Sequence, residues 1–199
     1  MSQDDIDAFV RFVGYGGTIS PEAVTAAVVS KQVPVNGRSS DDGWTALHFA
    51  VYRSHPVGVT AALLAAGADA NVKDIDGATP VWVGGYSSTV AILQLLIDAG
   101  GSVNEANHDG QTPLIALVRN NVGDAAARLG VLLARPNLDL DARFEGKTAE
   151  EWAMERGHGA LGAAIAAEVC PKSCSWACDV QCALSSTTRA TNHCLYLLF

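Results

Sequence analysis

Between residues 46 and 65 apolar side chains recur at helical spacing, with Leu47, Ala50 and Val51 in one segment and Val59, Leu63 and Leu64 in the next. Such spacing gives each segment one apolar stripe that neither helix could hide alone. The pattern therefore predicts pairs of helices that bury their stripes against neighbouring pairs. The same logic predicts a helix pair at 3–13 and 21–30, where Asp4 and Asp5 suit the positive end of the first helix. Ser20-Pro21-Glu22 supplies the second helix with an N-cap, a first-turn proline and a complementary charge.

The punctuation between these helices repeats. Gly43-Trp44-Thr45, Gly77-Ala78-Thr79, Gly110-Gln111-Thr112 and Gly146-Lys147-Thr148 follow one another at steps of 34, 33 and 36 residues. A fixed period of this size marks a stacked-repeat architecture. Thr45, Thr79 and Thr112 stand where a helix N-cap belongs, and Pro80 and Pro113 follow at the position whose missing N–H is harmless. In the second unit Ala46 takes the place of that proline. A second punctuation ends each unit at Asn36, Asn71, Asn104 or Asp141. The expected organisation is a repeat domain over 1–169, with a degenerate cap at about 3–39, units at 40–73, 74–106 and 107–142, and a closing cap at 143–169. Residues 170–199 are expected to form a poorly ordered, Cys-rich tail.

Residues 43–51 read GWTALHFAV, 77–81 GATPV and 110–114 GQTPL, and the unit endings read LLAAGADAN at 63–71 and LLIDAGGSVN at 95–104. These stretches resemble the ankyrin repeat. The resemblance implies an all-α solenoid of helix-turn-helix units joined by β-hairpin loops, curved so that hairpin tips and first helices line a concave surface. It also implies that the His48 imidazole braces the hairpin through backbone and the Thr45 hydroxyl. Trp82, Ile115 and Glu151 take the equivalent places in later units.

Two departures from the family pattern mark soft places. Gly84-Gly85 stands where the pattern has two alanines, and each glycine costs about 0.5–1 kcal/mol inside a helix, so the third unit is expected to have the weakest first helix. The fourth unit carries extra residues in its NNVGD stretch, a loop expected to protrude, and ends in Asn137-Leu138-Asp139-Leu140-Asp141. Truncating Leu95 or Leu96 should loosen two interfaces, at about 2–5 kcal/mol.

Charge narrows the partner. Lys and Arg number 13 against 21 Asp and Glu, a formal charge of -8, which argues against a nucleic-acid surface built on concentrated cations. The acidic start MSQDDIDAF is unlike a basic leader, and no apolar run reaches the roughly 18 residues of a membrane span. An intracellular protein, cytoplasmic or nuclear and monomeric, is expected, without cofactor. No nucleophile, base and acid gather around His48, so no enzyme is expected. Gly14-Tyr15-Gly16-Gly17-Thr18 lacks the strand and Lys-Ser/Thr ending of a phosphate cradle and reads as an interhelical turn. Asp139 and Asp141 read as a divergent unit ending rather than a metal site.

What remains is recognition of another protein. The resemblance places partner-facing residues on hairpin tips and on the exposed side of each first helix: Asp42, Trp44, Tyr52 and Arg53 in the second unit, and Ile75, Asp76, Tyr86 and Ser87 in the third. The fourth offers His108, Gln111, Arg119 and Asn120, and the fifth Phe144, Lys147 and Arg156. Trp, Tyr and Arg dominate binding hot spots, so a groove centred on Trp44, Tyr52 and Tyr86 is expected. The alternative is a spacer whose aromatics only brace the hairpins. Asn71 and Asn104 resemble hairpin asparagines offered to an asparaginyl hydroxylase, against the simpler role of shaping the turn. In the tail, Cys170, Cys174, Cys178 and Cys182 fall four apart, and one rigid helix cannot wrap four such thiols around a zinc ion. Metal binding, lipid attachment and redox pairing stay open as alternatives for a tail-presenting adaptor.

Overall fold

The computed structural model describes residues 2–15, 19–31 and 34–169, among which lie ten helices and a lone antiparallel bridge between Phe144 and Lys147. The helices are α1 (Gln3–Tyr15), α2 (Pro21–Lys31), α3 (Ala46–Tyr52), α4 (Val57–Ala65), α5 (Pro80–Tyr86), α6 (Val90–Asp98), α7 (Pro113–Asn120), α8 (Ala125–Leu133), α9 (Ala149–Glu155) and α10 (Gly159–Val169). The odd-numbered helices contact one another in chain order to form one layer, and the even-numbered helices form a second behind it. The result is an all-α array of stacked helix pairs.

Local chemistry sets each first helix. Thr45, Thr79, Thr112 and Thr148 have extended backbones, and each side chain accepts the N–H of the residue three positions on. That satisfies a donor the helix would otherwise leave orphaned. Pro80 and Pro113 start α5 and α7. Ahead of each cap the chain doubles back: Asp74 N–H donates to Ala78 O at 3.0 Å, and Asn107 N–H to Gln111 O at 3.0 Å. The tripeptide glycines 43, 77, 110 and 146 take φ between 68° and 89°, a conformation that side chains resist.

Neighbouring units are stitched at both edges. At the hairpin edge, Ile75 N–H donates to Asp42 O at 3.2 Å and His108 N–H to Asp76 O at 2.8 Å. At the opposite end of the units, the Asn36 carboxamide donates to Gly67 O and accepts from Asp69 N–H. Asn71 repeats this with Gly100 O and Ser102 N–H, and Asn104 with Asn137 O and Asp139 N–H. The core follows the predicted stripes, with Leu47, Val51, Leu63, Ile92, Leu96 and Leu117 fully buried between layers. Leu95 is only half-buried, so the weight of that pair rests on Leu96.

In the third unit Gly85 has a packing role. An added Cβ on Gly85 would stand 2.5 Å from the Pro113 carbonyl oxygen, so this glycine lets α7 approach α5 closely. The Gly84 and Gly85 carbonyls both accept from the guanidinium of Arg128, at 3.2 and 2.8 Å. Arg128 also donates to Val122 O and so anchors the NNVGD stretch, whose residues 121–124 are exposed.

Candidate partner-binding face

The second unit presents an aromatic cluster assembled from two elements. The Asp42 carboxylate accepts the Trp44 N–H at 2.9 Å and fixes the turn before α3. The Trp44 indole N–H then donates to the Asp74 carboxylate of the next hairpin at 2.9 Å. So oriented, the Trp44 ring meets Phe49 at 4.8 Å and Tyr52 at 5.4 Å, both edge-on. Phe49 in turn contacts Tyr15 at 5.5 Å, and the Arg53 guanidinium lies 5.2 Å over the Tyr15 ring. Trp44 is half-buried, whereas Tyr52 and Tyr15 are 45 % and 66 % exposed.

Tyr86, at the end of α5, is 38 % exposed and stacks on Trp82 at 5.7 Å with planes 8° apart. Asn120 of α7 donates to Tyr86 O at 2.8 Å, and Ser87 is half-buried as the C-cap of α5. No ring contact joins Tyr52 to Tyr86 among the described residues.

Three cations gather on Trp152 at the far end. Arg119 lies 4.7 Å from its centroid and 4.6 Å from that of Phe144, Lys147 lies at 4.7 Å and Arg156 at 5.7 Å. Arg156 also donates to Arg119 O at 3.3 Å, and Lys147 pairs with Glu155. Phe144 is only 8 % exposed and contributes by backing Arg119. Ile75, Asp76 and His108 stand exposed at hairpin tips away from these clusters. Gln111 is half-buried, its carbonyl accepting the Trp82 indole N–H at 2.9 Å. The sequence did not single out Tyr15 or Trp152 as parts of this face; the first sits in a cap without a repeat signature, and the second in the core stripe of α9.

His48 is fully buried and serves the stack. Its Nδ1 accepts Thr45 N–H at 3.1 Å and its Nε2 donates to Ala78 O at 3.2 Å, the carbonyl of the following hairpin. Burial holds its pKa down to about 4, against the opposing hydrogen bond to Ala78 O and the charges of Asp74 and Asp42. Trp82, the residue in the corresponding place one unit on, reaches the corresponding carbonyl of Gln111 with its indole N–H. Two different rings thus make the same bond between units.

Asn71 and Asn104 spend both ends of their carboxamides on the next unit. Asp139 accepts the Asp141 N–H at 3.0 Å, closing a local turn. Among the described residues no group of three or more His, Cys, Asp or Glu is placed to hold a metal, and no helix is long and apolar enough to cross a membrane. Gly16, Gly17, Thr18 and the tail cysteines Cys170, Cys174, Cys178 and Cys182 lie outside the described residues.

Residues 42–75 match the family model described as Ankyrin repeat. The chain is 32% identical over 101 residues to the Neurogenic locus Notch protein of Drosophila melanogaster, a stretch covering 50% of this chain and 4% of that protein. It is 33% identical over 95 residues to the ankyrin repeat protein YahD of Escherichia coli (strain K12), covering 48% of this chain and 46% of that one.

Proposed function

We propose that this chain, which matches the Ankyrin repeat model at residues 42–75 and stacks its helix pairs in two layers, is a non-catalytic adaptor whose first-helix face grips another polypeptide, as ankyrin arrays generally do. The face would run from Trp44 and Tyr52 past Tyr86 to Arg119, Asn120 and Arg156, with the hairpin tips at Asp42, Ile75, Asp76 and His108 as its rim. The carrying observation is that Tyr52 and Tyr86 remain 45 % and 38 % exposed at matching ends of adjacent first helices, each backed by a tryptophan. Rigid aromatic side chains that keep their outer surface in water are what a partner can desolvate at little entropic cost. Phe144 falls outside this surface because it is buried. In this reading residues 1–169 form the binding unit, acting as an intracellular monomer.

Alanine at both Tyr52 and Tyr86 tests the proposal in the full chain. The expected outcome is loss of the proteins captured by the wild type, with a melting temperature within a few degrees of it. Unchanged capture beside a lowered melting temperature would make these rings braces and the array a spacer.

A further inference from the structure

Five cations of the described residues are neutralised where they stand. Arg11, Lys73, Arg135, Arg143 and Lys147 each pair with a carboxylate, and Arg128 is buried on backbone carbonyls. Arg38, Arg53, Arg119 and Arg156 have no carboxylate of the described residues within ion-pair distance, and of these Arg38 donates to the Gly43 carbonyl beside it. Arg53, Arg119 and Arg156 lie at the C-terminal ends of first helices, Arg53 and Arg156 as the C-caps of α3 and α9 and Arg119 in the last turn of α7. Each lies over an aromatic ring, Arg53 on Tyr15, Arg119 on Phe144 and Trp152, and Arg156 on Trp152. Glu155, the neighbouring acid at the end of α9, is taken by Lys147.

A cation at a helix C-terminus gains about 0.3–1 kcal/mol from the macrodipole, which accounts for a positive charge there but not for the lack of a paired acid in a chain of 21 Asp and Glu against 13 Lys and Arg. Stacking holds a guanidinium plane in place without consuming its charge or its capacity for bidentate bonds to a carboxylate. Between Arg53 and Arg119 in the layer stands Tyr86, the exposed ring of the intervening unit.

We infer that the unpaired guanidiniums of Arg53, Arg119 and Arg156, set along the first-helix layer with Tyr86 between the first two, receive an extended acidic peptide segment. This deepens, and rests on, the proposal that this layer is the docking face. Packed helices lie about 8–10 Å apart and an extended chain advances about 3.3 Å per residue, so one unit of the array corresponds to about three residues of the ligand. Arg53 precedes Arg119 by two units and Arg156 follows by one. The matching ligand carries acids about six and three residues apart, with an apolar residue opposite Tyr86.

The probe is a fluorescent ten-residue peptide with Glu at its positions 1, 7 and 10 and Leu at 4, measured by anisotropy against the full chain in about 50 mM salt. Its twin has Gln in place of Glu. The expected results are at least about tenfold tighter binding of the Glu peptide, weakening as salt rises, and loss of that preference in an Arg119→Gln/Arg156→Gln variant. Arg53→Gln, exposed and outside the Trp152 stack, provides a second variant in which folding is not at stake; it should reduce the preference by several-fold. Equal affinity for the two peptides, no binding of either, or a preference that survives all three substitutions overturns the inference. If the Tyr52/Tyr86 alanine variant loses its captured proteins while the twins bind alike, the docking face stands and its acidic ligand falls.

Discussion

A buried imidazole held by two backbone groups is a pH-sensitive element. His48 accepts a proton-bearing N–H at Nδ1 and donates from Nε2, so its place in the stack requires the neutral ring. Burial lowers its folded pKa to about 4, whereas an unfolded histidine titrates near 6.5. Between those values the unfolded chain binds the extra proton, so the His48 contribution is complete above about pH 6.5 and is lost as the pH falls toward 4. Urea unfolding of the wild type should therefore show a loss of about 2 kcal/mol at this site between pH 7 and pH 5. A His48→Gln variant, less stable at pH 7, should lack that part of the slope. Parallel pH profiles for the two proteins would mean that the ring is not neutral when folded.

At the scale of one helix, α5 separates propensity from packing. Its two adjacent glycines predict easy gains from alanine, each about 0.5–1 kcal/mol. Gly85 cannot realise that gain, because its Cβ would press on the Pro113 carbonyl, a backbone atom with nowhere to go. At Gly84 the nearest obstacle is the Leu93 Cδ1 at 3.2 Å, the tip of a side chain that can turn aside. Gly85→Ala should lower stability by about 1–3 kcal/mol and Gly84→Ala should leave it equal or raise it by up to about 1 kcal/mol. Thermal melts of the two variants must move apart; equal shifts would refute the close-approach account. The contrast shows what sequence could and could not reveal. Threonine caps, first-turn prolines and turn glycines were legible because each acts on its own few residues. The role of Gly85 was not, since it depends on an atom 28 residues away in sequence. Trp82 was obscured differently: its bond to Gln111 O needs only an N–H at the right reach, which histidine and tryptophan share without resembling each other as letters. At the candidate face, Tyr52, Tyr86 and the arginines were readable from their places in the period, while Phe144 looked exposed and is buried.

Across the whole array, stability is a sum of units and of the interfaces between them, so one weakened interface can split a single unfolding transition in two. Arg128 concentrates such an interface in one side chain. From α8 its guanidinium, 1 % exposed, reaches the Gly84 and Gly85 carbonyls at the end of α5 and the Val122 carbonyl of its own unit's loop. Burial lowers its pKa and Asp124 opposes that shift, yet an arginine remains charged at neutral pH, its positive charge facing the negative end of α5. Arg128→Leu keeps most of the volume and removes every donor, stranding the carbonyls of the buried Gly84 and Gly85, at about 2–4 kcal/mol. Two of the three bonds lost join the third unit to the fourth, and the remaining one lies within the fourth. Hydrogen exchange in rising urea should then find peptides from α3 to α6 and peptides from α7 to α10 opening at one midpoint in the wild type and at two in the variant. Two coincident midpoints, merely shifted to lower urea, would show that Arg128 stabilises the array without coupling its halves.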